Sequence, residues 1–278
     1  MKYEELWRRL TSIYEAGEAK AIVRWVLEMR YGLTMADILF GKVEELTGDE
    51  QDEMEGIIQR LLGGEPVQYV LGATEFCGRM FGVGPGVLIP RPETEELCRW
   101  ILESCFHTPP SILDIGTGSG CIAVTLACEI ASARVCGWDV SPTALHITQQ
   151  NAGRNGVSVM TRQCDMLKMP CDETHGLWDV IVSNPPYICQ SEAKDMAPWV
   201  LNHEPEEALF VPDDDPLLFY RHIGHYAKAA LNKGGMLYFE VNPLYVGDIE
   251  DCLRELGFSD IKIRRDQFDK ERFIRACR

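Results

Sequence analysis

From Leu6 to about Leu62, apolar residues recur every three or four positions, as in Leu6, Leu10, Ile13 and Tyr14, then Ile22, Trp25, Val26 and Met29, with no strand-like alternation. This spacing predicts about four short helices, packed as a small bundle. Thr34 stands three residues before Asp37, and Thr47 three before Glu50, the arrangement in which a side-chain oxygen caps the free amides of a helix start; Gly63-Gly64 ahead of Pro66 closes the last helix. The pattern changes at 73–90, where Phe76, Phe81, Val83, Val87, Leu88 and Ile89 sit among Gly78, Gly82, Gly84, Pro85 and Gly86, the makeup of a β-hairpin and its exit turn. Beyond Pro92, strands and helices alternate. Strands are expected at 111–115, 134–140, 157–163, 178–183, 235–241 and 260–265, with helices near 120–130 and 142–153 and another ending at Gly234-Gly235. Such alternation predicts an α/β domain with a parallel, doubly wound sheet whose ligands lie at the carboxyl ends of the strands. The expected division is a helical bundle at 1–72, a hairpin connector at 73–90 and the α/β domain at 91–278. There is no internal repeat.

Composition narrows the function classes. Of 278 residues, 27 are Lys or Arg and 43 are Asp or Glu, a formal charge of -16. A protein that tracks nucleic-acid phosphates gains affinity by neutralising them with cations, so a general DNA or RNA substrate is not expected. The stretch 261–278 is locally basic, with Lys262, Arg264, Arg265, Lys270, Arg272, Arg275 and Arg278, and reads as a solvated face. Eleven cysteines are scattered without a C-x-x-C pair, as expected of reduced, mostly buried thiols. With no apolar run of about 18 residues and no signal-type start, the expected setting is cytoplasmic and away from membranes.

The first candidate for chemistry is Asp114-Ile115-Gly116-Thr117-Gly118-Ser119-Gly120, which leaves an apolar strand and opens a helix, so that a ligand can lie against bare backbone. A dinucleotide fingerprint needs glycine at 121, and the chain has Cys121. The spacing resembles instead the first motif of class I methyltransferases. Asp139 ends the next strand about twenty residues on, where a carboxylate accepts both hydroxyls of a ribose. Cys164-Asp165-Met166 follows the third strand; in methyltransferases an acidic residue there accepts from the adenine amine while its neighbour packs on the ring.

The fourth strand runs into Ser183-Asn184-Pro185-Pro186-Tyr187. Two prolines remove two donors and fix φ, which makes a rigid loop with outward carbonyls. An amide or aromatic amine is a weak nucleophile because its lone pair is delocalised. The Asn184 side-chain oxygen and the Pro185 carbonyl can accept both of its N–H bonds, aiming the lone pair, while Tyr187 packs on the planar group. His222-x-x-His225 lacks a third ligand, and Asp213-Asp214-Asp215 reads as a solvated loop, so no metal is expected.

The glycine loop together with Asn-Pro-Pro-Tyr resembles the amino-methyltransferases of exocyclic and amide nitrogens. The stretches Gly64-Glu65-Pro66-Val67-Gln68-Tyr69-Val70-Leu71-Gly72 and Gly86-Val87-Leu88-Ile89-Pro90-Arg91-Pro92-Glu93-Thr94-Glu95, with Glu204-Pro205 and Ala208-Leu209, resemble the peptide chain release factor glutamine methyltransferases over essentially the whole chain. The resemblance implies a Rossmann-like, seven-stranded class I methyltransferase domain behind a substrate-recognising helical bundle. It implies transfer of a methyl group from S-adenosylmethionine to the glutamine side-chain nitrogen of the Gly-Gly-Gln motif in class I release factors. By the same resemblance Gly116, Gly118 and Gly120 cradle the cofactor's methionine part, with Thr117 and Ser119 in the same loop; Asp139 takes the ribose, Asp165 and Met166 the adenine. Asn184 touches cofactor and substrate, and Asn184, Pro185, Pro186 and Tyr187 hold the glutamine, with Asn184, Pro185 and Tyr187 catalytic. Arg91, Glu93 and Thr94 match a family signature near the cofactor entrance. Glu240-Val241-Asn242 departs from a frequent Glu-Ile-Gly and Ala276-Cys277-Arg278 from a common Gly-Arg ending, both expected to be peripheral to the chemistry. The same Asn-Pro-Pro-Tyr also suits a flipped base of DNA or RNA, which is the alternative function. A non-catalytic binding protein is the third.

Overall fold

The computed structural model describes residues 1–104, 106–168 and 177–278; Cys105 and Cys171 lie outside them. The chain divides into two compact units, Met1–Ala73 with Ala197–His203, and Thr74–Met196 with Glu204–Arg278.

The first unit contains α1 (Tyr3–Leu10), α2 (Ala16–Tyr31), α3 (Met35–Leu39), α4 (Gly48–Leu62) and α5 (Val67–Leu71). Thr34 and Thr47 cap α3 and α4, and Asp37 and Glu50 each reach back to the cap amide, at 3.0 and 2.8 Å. The three-and-four spacing turns Leu6, Leu10, Val23, Val26, Leu27, Met54, Ile58 and Leu61 into one buried core. Helix does resume after Pro66, because proline is tolerated as the residue that opens α5 and lacks only an amide that has no partner there.

In the second unit, β1 (Ala73–Phe76) and β2 (Arg79–Gly82) form the hairpin, closed by Cys77 and Gly78, both at positive φ. Then follow α6 (Pro92–Leu102), β3 (Ser111–Ile115), α7 (Cys121–Glu129), β4 (Arg134–Asp139), α8 (Pro142–Arg154), β5 (Met160–Gln163), β6 (Trp178–Ser183) and β7 (Ile188–Cys189). After α9 (Pro198–His203), which belongs to the first unit, come β8 (Phe210–Val211), α10 (Leu218–Ala230), β9 (Leu231–Glu240), α11 (Val246–Glu255), β10 (Ser259–Arg265) and β11 (Glu271–Cys277). The central sheet has seven strands in the order β10-β11-β9-β6-β3-β4-β5. The five from β9 to β5 run parallel, and β11 is antiparallel to both neighbours. Alternate residues face opposite sides: Leu113, Ile115, Ile181 and Phe239 pack with Tyr220, Ile223, Ile249 and Leu253, while Ile112, Val180, Val182 and Tyr238 pack with Leu97, Ile101, Ile122 and Leu126.

The chain order of this sheet reverses between β3 and β6: β4 and β5 continue to one side, β6 and β9 to the other. The crevice at the carboxyl ends of these two strands is a topological switch point, where ligands of such sheets bind. Ile115 pairs with Ser183 across it, so Gly116 and Asn184 leave the sheet side by side.

Two expectations are corrected. α10 ends at Ala230, and the glycines 234 and 235 lie within β9 rather than at a helix end. The basic C-terminal stretch is not simply a solvated face. Residues 271–277 form an inner strand with Phe273, Ile274 and Ala276 buried. Its cations are held by acidic partners, among them Arg272 on the fully buried Asp266 side chain at 3.2 Å and Arg275 on Asp260 at 2.6 Å. The nine described cysteines are free, three buried and six half-buried. No helix among the described residues is long and apolar enough to cross a membrane.

Candidate active site

A cleft enclosing about 820 Å³, open mouth included, sits at the switch point. It is lined by the loops after β3, β4, β5 and β6, and also by residues 86–94 and 205–208. Gly116, Thr117, Gly118, Ser119, Asp139, Met166, Asn184 and Pro186 all reach it; Gly120, Asp165, Pro185 and Tyr187 do not line it.

The glycine loop is shaped by backbone and held from behind. Gly116 and Gly118 have φ of 73° and 55°, a region closed to most side chains, and α8 takes the loop's carbonyls: Thr148 Oγ1 donates to Gly118 O at 3.0 Å and Asn151 Nδ2 to Ser119 O at 2.8 Å. Gly120, with φ 79°, is also closely packed, since a Cβ there would meet Thr148 Cγ2 at 2.8 Å. Asn151, which the sequence reading missed, also clasps the hairpin through Gly82 N and O, at 2.6 and 2.9 Å.

Asp139 accepts Gly118 N on one oxygen and Ser141 N on the other, both at 2.9 Å, which orients the carboxylate and leaves a lone pair on each oxygen for a ligand hydroxyl. Burial raises its pKa despite those bonds. Asp165 stands apart: its carboxylate accepts Leu167 N at 3.0 Å and pairs with Lys168 at 2.8 Å, capping the short turn from which Met166 enters the cleft. On the opposite wall Glu204, with a side chain 1% exposed, accepts from Ile89 N at 3.1 Å and from Arg91 at 2.6 Å. That pair joins the 86–94 wall to the 205–208 wall and neutralises Arg91, the one cation among the described residues that line the cleft, so their remaining charge, from Asp139 and Glu207, is negative.

Asp114, at the root of the loop, is fully buried. Its Oδ2 accepts from Thr117 Oγ1 at 2.7 Å and Ala123 N at 3.2 Å, while Oδ1 has no partner among the described residues. Burial pushes its pKa up from 3.8 to about 7. In that interval the unfolded chain has released the proton and the folded chain keeps it, so stability falls as pH rises from about 4 to about 7. Asp114→Asn removes this loss: its melting temperature relative to wild type is expected to rise between pH 5 and pH 8, and a difference that stays constant with pH would contradict the assignment.

Around Asn184 the structure assembles a network that includes Glu240 and Asn242, which sequence reasoning placed outside the chemistry. Asn184 Nδ2 donates to Thr94 Oγ1 at 3.3 Å, Thr94 Oγ1 donates to Glu240 Oε2 at 2.7 Å, and Tyr187 Oη donates to Glu240 Oε1 at 3.0 Å. Glu240 is 2% exposed. Asn242 Nδ2 holds the Tyr187 carbonyl at 3.1 Å. Glu240 and Asn242 are therefore not peripheral, and the correction has a simple cause: Glu240 ends a strand two places from β3, on the same edge as Asp139. An acidic residue at the carboxyl end of a parallel strand was the available signal. Elsewhere Asp213 accepts from Ser191, Asp215 pairs with Arg221, and His222 Nδ1 meets the Leu218 carbonyl. Among the described residues no group of three His, Cys, Asp or Glu side chains could hold a metal.

A mainly parallel seven-stranded sheet in this order, with a glycine loop, a strand-end acid and Asn-Pro-Pro-Tyr at the switch point, defines a class I methyltransferase. The family model of the PrmC N-terminal domain matches residues 5–72, and that of the ribosomal protein L11 methyltransferase (PrmA) matches residues 81–210. The release factor glutamine methyltransferase of Bacteroides thetaiotaomicron is 43% identical over 272 residues, covering 97% of this chain and 96% of that protein. That of Flavobacterium psychrophilum is 37% identical over 271 residues, with 96% and 94% covered. The solved structure of a methyltransferase from Pyrococcus furiosus, 16% identical with a TM-score of 0.52 over 83% of this chain and 98% of that one, shares the fold. The chain belongs to the release factor glutamine methyltransferase family.

Proposed function

We propose that this protein transfers a methyl group from S-adenosylmethionine to the side-chain amide nitrogen of the glutamine in the Gly-Gly-Gln motif of class I release factors, modulating translation termination. The observation that carries the reading is the amide of Asn184, set at the switch point with its NH2 turned to Thr94, which leaves its oxygen as an acceptor beside the cleft. The charge and apolar lining of the cleft support the cofactor reading. The cleft's acidic balance suits a sulfonium and an ammonium, and its wall of Val87, Leu88, Ile122, Val140 and Met166 suits a purine.

When bound, S-adenosylmethionine would supply an electrophilic methyl group and leave as S-adenosylhomocysteine, while the substrate nitrogen gives up one N–H proton. Gly116 to Ser119 and Asp139 would hold it by backbone and carboxylate, with Met166 as an apolar wall. Asn184 Oδ1 and the Pro185 carbonyl accept the two N–H bonds of the substrate amide, so positive charge developing on nitrogen meets fixed dipoles that need no reorganisation. Tyr187, anchored on Glu240 at 3.0 Å, gives the planar group a fixed wall. A chain of net charge -16 is better matched to a basic protein partner than to a phosphate backbone.

The test is methyl transfer from labelled S-adenosylmethionine to a purified class I release factor, with the motif glutamine intact or changed to alanine. Label is expected on the first and absent from the second. Label that persists on the alanine variant, or that goes to nucleic acid at low salt and not to release factor, would sink the substrate assignment.

A further inference from the structure

Asn184 can serve as an acceptor only if its amide points the right way round, and a terminal amide has two orientations of nearly equal shape. Glu240 removes the choice. Both of its oxygens take hydroxyl donors, Thr94 at 2.7 Å and Tyr187 at 3.0 Å, and its carboxylate has almost no access to solvent. The Thr94 hydroxyl, with its single proton given to Glu240, has only lone pairs left for Asn184, and an acceptor in that place selects the NH2 arm of the amide, which sits at 3.3 Å. The oxygen arm is then left for a ligand. Were the amide reversed, it would set one NH2 against another at the substrate, and its oxygen against a lone pair of Thr94.

We infer that Glu240, acting through Thr94, is a positioning residue that sets which atom of the Asn184 amide is offered to substrate. It touches neither substrate nor cofactor in this role. The same carboxylate fixes Tyr187 through its other oxygen, so one buried acid orients two members of the Asn-Pro-Pro-Tyr loop. Thr94 lies on α6 and Glu240 at the end of β9, and the two residues are 146 apart in sequence, which is why no local motif reveals the link. Its functional meaning rests on the methyl-transfer reading above.

Thr94→Val keeps the shape of the side chain and removes the hydroxyl; Thr94→Ser keeps the hydroxyl. In full-length protein, Thr94→Val is expected to lower kcat about 10- to 100-fold, with KM for release factor and affinity for S-adenosylmethionine within about threefold of wild type. Thr94→Ser should keep kcat within about threefold. A second readout needs no activity: the side-chain NH2 resonances of 15N-labelled Asn184 should be shifted and protected in wild type and in Thr94→Ser, and lose both in Thr94→Val. If those resonances are the same in all three proteins, or if kcat in Thr94→Val stays within twofold, the relay is wrong. It is equally wrong if Thr94→Val and Thr94→Ser lose activity, cofactor affinity and melting temperature together, since that pattern marks a packing role. Wild type that methylates no release factor would refute the substrate reading alone, and the amide resonances would still decide the relay.

Discussion

Asn184→Ala is expected to cut turnover on a class I release factor about 100- to 1000-fold while leaving the affinity for S-adenosylmethionine within about threefold. The size follows from what the side chain does in the proposed reaction. It supplies one of two preorganised acceptors that face the reacting amide, and the loss of one such hydrogen-bonding partner from a dry site has about that effect. The selectivity follows from where the side chain stands. Asn184 is one of many groups lining the cleft, whereas Asp139 and the 116–119 loop provide the polar contacts that would hold the cofactor. Ground-state binding therefore survives and the interaction strengthened in the transition state does not. Single-turnover transfer with labelled cofactor gives the rate, and calorimetry gives the affinity. Equal losses in both would place Asn184 in cofactor binding and remove it from the chemistry.

Phe273→Ala is expected to destabilise the second unit by about 3–5 kcal/mol, the usual cost of emptying a fully buried aromatic site. Phe273 has no exposed surface and packs with the cluster on the α6 and α7 face of the sheet. For a unit of this size, that cost lowers the melting temperature by roughly 6–20 °C. Phe268, in the turn between β10 and β11 and 64% exposed, is the control, and Phe268→Ala should stay within about 0.5 kcal/mol of wild type. Similar melting temperatures for the two variants would mean that 271–277 is not an interior strand. A functional consequence accompanies the stability one. Phe273 pairs with Glu240 across the β11–β9 ladder, so the inner strand also holds the strand end from which Glu240 reaches Thr94 and Tyr187.

That strand shows why part of the fold was hard to read. The inner parallel strands β3 and β6 announce themselves as apolar runs, since both of their faces are buried. β11 instead reads Glu-Arg-Phe-Ile-Arg-Ala-Cys, with charges at three of seven positions. It follows β10 by a turn rather than a helix, so the strand-helix alternation gives no warning of it. Its arginines lie along the sheet with their charges on Asp266 and Asp260, and composition alone cannot tell a solvated cation from one already paired.

The cleft divides in the same way. Where a residue's neighbours in sequence are its neighbours in space, as at Gly116 to Ser119, the strand-end Asp139 and Asn184, spacing and backbone chemistry point to residues that line the cleft. Asp165 had the right residue type and position, yet its carboxylate turned to Lys168 and left Met166 to face the cleft.

Sequence by itself determined the helical bundle, the alternating α/β domain, the switch-point motifs and the family they resemble, because each is written in local periodicity or in a run of adjacent residues. Tertiary structure alone decided that Glu240 is joined to Asn184 through Thr94, that Glu204 ties Ile89 and Arg91 to the facing wall, and that Asn151 braces the glycine loop against the hairpin. Each of these is a hydrogen bond between polar groups at least 32 residues apart, the span from Ser119 to Asn151. Such groups must find partners once burial takes water away, and which partner each one meets depends on how the sheet and its helices close around them.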